Sequence, residues 1–106
     1  MATTVPLVVE VAHRRRVRGG EYIGRPSTLS NPFVIGRDGT REEVIAQYAA
    51  WLDDALGEGG GAQDREFARL RAILLGTGRL TLVCWCAPLA CHGDVIRARL
   101  LAGWEA

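Results

Sequence analysis

The sequence predicts an α/β fold: a small single-domain sandwich with a mainly parallel central sheet flanked by about three helices. Two short runs rich in β-branched residues lie far apart, "PLVVEVAH" (Pro6 to His13) and "RLTLVCW" (Arg79 to Trp85), with two amphipathic helical segments between them and a third helical pattern after the second run. Strands separated by helices ask the two main strands to lie side by side and parallel.

Each element rests on its own signals. The first run carries one charged residue among branched apolar ones and reads as a buried strand. It leads into "HRRRVR" (His13 to Arg18), a solvated turn or else a phosphate-contacting patch, and then the turn pair Gly19-Gly20. The following "EYIGRPSTLSNPFVIGRDG" is mostly loop; "EYIG" and "FVIG" each suit a very short strand, with Asp38-Gly39 as a turn. Thr40 with Glu43 three positions on forms a capping box, and Val44, Tyr48, Trp51/Leu52 and Ala55 recur at helical spacing, which predicts a helix over Arg41 to Leu56. "GEGGGAQ" (Gly57 to Gln63) interrupts it as a flexible connection. Asp64 is the expected N-cap of a second helix with Phe67, Leu70 and Leu74 inward and Gly76 as its stop. After the second strand, Gly93 to Trp104 reads as a closing helix with Val95, Ile96, Leu100 and Leu101 on its apolar side.

Composition bounds the function. The 106 residues suit one domain spanning residues 1–106, and 48% hydrophobic with 24% charged residues exclude disordered, collagen-like and coiled-coil classes. A net charge of +1 provides no global field for nucleic acid or an anionic membrane, so any polyanion must meet a local patch, for which Arg14, Arg15, Arg16 and Arg18 are the candidates. No stretch has the length of a membrane span, and the N-terminus lacks the basic start of a leader. Three cysteines make a poor disulfide framework. The expectation is a cytoplasmic protein with reduced thiols and no membrane partner.

All three cysteines and one of the two histidines fall within nine residues, Cys84, Cys86, Cys91 and His92. On a strand, residues two apart share a face, so Cys84 and Cys86 are expected on one side with Val83 and Trp85 on the other. The chain then turns at Pro88, and Cys91 and His92 open the last helix beyond a strand's carboxyl end, where open α/β sheets bind ligands. Two chemistries suit the place. In the first, unpaired N–H groups of the helix start lower the pKa of Cys91, which acts as nucleophile or redox thiol with His92 and Asp94 as acid/base or orienting partners and Cys84 or Cys86 as resolving thiol. In the second, Cys84, Cys86, Cys91 and His92 supply three sulfur ligands and one nitrogen ligand for zinc or, less often, an iron–sulfur centre, at a spacing that is not a standard zinc-finger one. The plain alternative makes Cys84 and Cys86 small buried apolar residues.

A second loop, "GRPSTLSNPF" (Gly24 to Phe33), suits an anion: Arg25 as the cation with Ser27, Thr28 and Asn31 adding hydrogen bonds. Its alternative is structural, with Asn31 holding a turn before Pro32. His13 reads as a strand-end residue, near the other site only if the first and last strands are neighbours. Neither standard glycine-rich phosphate motif is present.

The combination of "YIGRPSTLSNPFVIGRDGTREEVIAQYAAWL" with "LVCWCAPLACHGDVI" resembles the family of small bacterial and phage proteins called domain of unknown function 4326. Its pattern falls here on Tyr22, Gly24, Arg25, Pro26, Asn31, Pro32, Phe33, Cys84, Trp85, Cys86, Pro88, Cys91, His92, Gly93 and Asp94, with Ser30 where glycine is expected. The family's label assigns no activity, and its occurrence in phage and actinobacterial genomes is compatible with nucleotide or nucleic-acid metabolism. Together these readings lead with a cysteine-dependent enzyme acting on a nucleotide-like or other phosphorylated small molecule. The alternative is a zinc- or other metal-binding module engaged with nucleic acid or protein, and a third reading is a non-catalytic partner protein using the arginine patch.

Overall fold

A computed structural model describes residues 7–87 and 89–102. The chain runs β1 (Val8–His13), β2 (Glu21–Tyr22), α1 (Arg41–Glu58), α2 (Ala62–Thr77), β3 (Arg79–Cys84) and α3 (His92–Leu101). The three strands form one parallel sheet in the order β1-β3-β2. Val8 pairs with Arg79 and His13 with Cys84, so the last residues of β1 and β3 reach the same sheet edge. That register carries the chain after β1 and the chain after β3 into one neighbourhood. Pro6, Pro88 and Trp104, expected in the first strand, at the turn and in the last helix, lie outside the described residues.

One sheet face holds the core. Val9, Leu80, Leu82 and Cys84 pack with Tyr48, Leu52 and Leu56 of α1, Phe67, Leu70 and Leu74 of α2, and Val95, Ile96 and Leu100 of α3. The apolar periodicity read along the helices is their buried stripe, except that in α1 Ala55, expected inward, is half-buried and Leu56 is buried instead. Leu101, expected inward, is exposed. Tyr48 brings a polar group into the core, where its hydroxyl donates to the Leu29 carbonyl at 2.7 Å and so ties the loop after β2 to α1.

Helix ends follow capping chemistry. Thr40 Oγ1 accepts from Glu43 N while the Glu43 carboxylate accepts from Thr40 N, the reciprocal box expected there. In α2 two expectations shift. The helix starts at Ala62 behind Gly61, and the Asp64 carboxylate accepts from Gly60 N in the preceding turn. Gly76 stays helical, and the stop is Gly78, which takes the left-handed conformation (φ 78°) and donates its N–H to Leu74 O. "FVIG" forms no strand, only an isolated Ile35–Gly39 bridge, because the Val34 N–H is satisfied by the Asp38 carboxylate at 2.8 Å. No helix among the described residues is long and apolar enough to cross a membrane.

Candidate functional site

β3 ends at Cys84, and the chain then bends away, which brings Cys86 back toward the same side. α3 returns with Cys91 as its N-cap residue. The sulfurs of Cys84, Cys86 and Cys91 all lie within 4.8 Å of one another, and Cys84 and Cys91 are 3.3 Å apart. Cys84 and Cys91 are buried and Cys86 is half-buried. Close approach here depends on Gly93: a β-carbon at that position would sit 2.9 Å from Ile23 Cδ1, 3.0 Å from Val11 Cγ1 and 3.2 Å from Cys91 Sγ. Only glycine lets the first turn of α3 lie this near the sheet.

The three thiols line a cleft of about 450 Å3 between the carboxyl edge of the sheet, the loop after β2 and the start of α1. Its floor is buried, with Gly24, Val44, Cys84, Cys91 and His92, and its rim is exposed, with Arg25, Ile35 and Trp85. Arg25 and Arg41 are its cations, and no carboxylate is among the described lining residues. Among the described residues the cleft thus carries positive charge at its mouth on largely apolar and aromatic walls.

The Cys84 and Cys91 sulfurs, 3.3 Å apart, are within hydrogen-bond reach of each other. The Cys84 thiol is held well below the usual thiol range, chiefly by the hydrogen bond from Cys91 and further by the N–H groups of Cys86 and Ala87. Cys91 is pushed up, first by that same bond to Cys84 and then by burial. Gly93 N donates to Cys91 Sγ at 3.3 Å, yet this helix-start donor is outweighed. The lowered thiol is thus Cys84 rather than Cys91, because Cys84 collects more donors.

His92 stands outside the thiol group. Its Nε2 lies 2.7 Å from Ile23 O, and since a carbonyl can only accept, Nε2 carries the proton of a neutral imidazole. Burial lowers its pKa, and the ring packs edge-on to Tyr48 with centroids 5.1 Å apart. The Asp94 carboxylate accepts from Cys91 N at 3.0 Å, completing a second capping box. Both residues hold the helix start in position.

The loop after β2 is laced together by its own side chains. Arg25 donates through its NH2 group to Asn31 O and Phe33 O, and Tyr22 OH donates to Arg25 O. Asn31 Oδ1 accepts from Phe33 N, and its Nδ2 donates to Val44 O. Gly24 leaves room for Tyr22, since a β-carbon there would lie 2.6 Å from the Tyr22 Cζ. Arg25 and Asn31 line the cleft, whereas Ser27 and Thr28 are not among the lining residues. Ser27 Oγ is buried without a hydrogen-bond partner among the described residues. Two cleft residues escape the sequence reading of function. Arg41 figures there only as the first residue of a helix, and it anchors through Ala90 O at 2.9 Å. Trp85 is expected on the face away from the thiols, a parity that fails because the strand ends one residue before it.

No curated protein and no solved structure matches the chain. The sequence pattern of domain of unknown function 4326 matches over residues 9–102, which spans every described strand but the first residue of β1, all three helices, the thiol trio and the arginine loop. The chain belongs to that family.

Proposed function

We propose that the domain holds a zinc ion through Cys84, Cys86 and Cys91 on the floor of a cleft that takes a nucleotide-like or other phosphorylated small molecule. The observation that carries this reading is the convergence of all three thiols within 4.8 Å beside the cleft. Zinc–sulfur bonds of about 2.3 Å at tetrahedral angles put bound sulfurs roughly 3.8 Å apart, between the 3.3 Å of the Cys84–Cys91 pair and the 4.8 Å within which all three sulfurs lie. The cysteines number three in this chain, one fewer than the four thiolates of the usual iron–sulfur centre. Three protein ligands leave the fourth position of zinc for water or a ligand atom, the arrangement of sites that act on small molecules. Arg25 and Arg41 supply the charge that an anionic ligand needs there. Thiols that must stay reduced to bind metal fit a cytoplasmic protein.

The pairing of Cys84 with Cys91 favours a second reading, a metal-free cysteine-dependent enzyme. In it the thiolate sits on Cys84, with Cys91, the nucleophile expected from the sequence, as its hydrogen-bond donor, and with His92 and Asp94 positioning the helix start. Elemental analysis of tag-free protein beside a native thiol titration separates the two. One zinc per chain, protected thiols, and loss of the metal in Cys84→Ser and Cys91→Ser support the metal centre. Metal-free protein in which one thiol outpaces the others near neutral pH overturns it in favour of the second reading.

A further inference from the structure

The cationic residues of this chain are all arginines, 13 of them with no lysine. Nine have an interaction partner within the protein. Arg37, Arg69, Arg79 and Arg99 pair with carboxylates, Arg25, Arg41, Arg65 and Arg97 donate to carbonyls, and Arg71 is also engaged. The remaining four are Arg14, Arg15, Arg16 and Arg18, whose guanidinium groups are exposed and have no hydrogen bond or ion pair among the described residues. In a chain whose other arginines are all engaged internally, the unpaired ones are confined to one five-residue turn.

That turn is held on the sheet edge that also bears the cleft. Arg14 N donates to Cys84 O at 2.8 Å, Arg15 N to His13 Nδ1 at 3.0 Å and Arg16 N to His13 O at 2.9 Å. The His13 ring stands edge-on to Trp85 with centroids 5.6 Å apart. On its other side, Trp85 donates Nε1–H to Tyr22 OH at 2.9 Å. The indole is thus oriented from two sides and still 53% exposed at the cleft rim. A fixed, exposed aromatic ring on the same sheet edge as a turn bearing unpaired guanidinium groups is a combination suited to single-stranded nucleic acid, one stacking a base while the other meets successive phosphates.

We infer that the Arg14–Arg18 turn and Trp85 form a binding surface for single-stranded nucleic acid, with the strand running from the arginines over the indole toward the cleft. An unpaired strand is favoured over a duplex because its bases are free to stack on Trp85. It is favoured over a nucleoside monophosphate because four guanidinium groups exceed the charge of a single phosphate. The surface lies outside the thiol trio and does not need the metal.

Fluorescence anisotropy with a labelled twelve-nucleotide oligothymidine tests this on the whole protein. The expected salt dependence is a slope of about −2 to −3 in log affinity against log salt, from three or four phosphate contacts at about −0.7 each. Charge reversal of Arg14, Arg15 and Arg16 to Glu should weaken binding tenfold or more and flatten that slope. Trp85→Ala should weaken it several-fold with the slope retained, and Trp85→Phe, which keeps a stacking face but loses the bond to Tyr22, should keep most of the affinity. Unchanged binding by the charge-reversed protein overturns the inference. So does equal affinity for a duplex of the same length with no effect of Trp85→Ala, or tighter binding to phosphatidylserine vesicles than to the oligonucleotide. Zinc content and circular dichroism are measured on the same samples. Zinc-loaded protein that ignores the oligonucleotide refutes this surface alone, and metal-free protein that binds it refutes the metal centre alone.

Discussion

Replacing Gly93 with alanine probes whether the site depends on the close approach of α3 to the sheet. The added β-carbon would lie 2.9 Å from Ile23 Cδ1 and 3.0 Å from Val11 Cγ1, against about 3.5–4.0 Å for carbon atoms at optimal separation. It would also press on Cys91 Sγ at 3.2 Å, so either Ile23 or the first turn of α3 must give way. Overpacking of this kind costs about 1–3 kcal/mol. Alanine's better helix propensity offsets at most about 1 kcal/mol, and less at the second residue of a helix. The expected result is a net loss of about 1–2 kcal/mol, or a fall in Tm of roughly 4–15 °C for a domain of this size. Thermal and urea denaturation in reducing, chelator-containing buffer measures it without any metal contribution. Gly76→Ala in α2 is the control, because a β-carbon there meets nothing within 4 Å; propensity alone acts, and stability should rise by about 0.5–1 kcal/mol. Should Gly93→Ala match or exceed the parent protein in stability, the argument that the thiol trio is set by a glycine-only contact fails.

Two more outcomes follow from the core. Tyr48→Phe removes the donor to Leu29 O and leaves a buried carbonyl without a partner, so urea unfolding should show a loss of about 1–2 kcal/mol with an unchanged m-value; an unaltered midpoint would mean that the loop is held some other way. His92 is neutral in the fold because burial lowers its pKa, so the unfolded chain binds the extra proton first as pH falls. Its contribution is therefore fully present above the ordinary histidine pKa of about 6.5 and is lost as pH drops toward the lowered value. In metal-free protein, stability should decline from pH 7 to pH 5, and His92→Gln should flatten that part of the profile; an identical slope in the variant would refute the assignment.

Much of the fold was legible because its signals are local. The Thr40–Glu43 box and the stripe of Val44, Tyr48 and Leu52 act within a few residues, so α1 is written in its own segment. The same holds for the parallel pairing of β1 with β3, which follows from strand and helix order. Where two local signals competed, the reading slipped: Gly76 and Gly78 both suit a helix end, and backbone conformation chose the second.

The thiol cluster was half legible. Spacing brought Cys84, Cys86 and Cys91 forward as a group, but the distances that join the three sulfurs while setting His92 against Ile23 O belong to the packing of α3 on the sheet. The same division runs through the charges. Arginine positions are in the sequence, yet which of them are neutralised depends on partners such as Glu10 for Arg79, Asp53 for Arg99 and Val9 O for Arg97, separated by 69, 46 and 88 residues. The sequence by itself determined the elements, their order and the residue types at the sheet edge, since capping and periodicity are short-range. Tertiary structure decided which thiols meet, which arginines stay free and what lines the cleft, because each of those is set by contacts between residues that only the folded chain brings together.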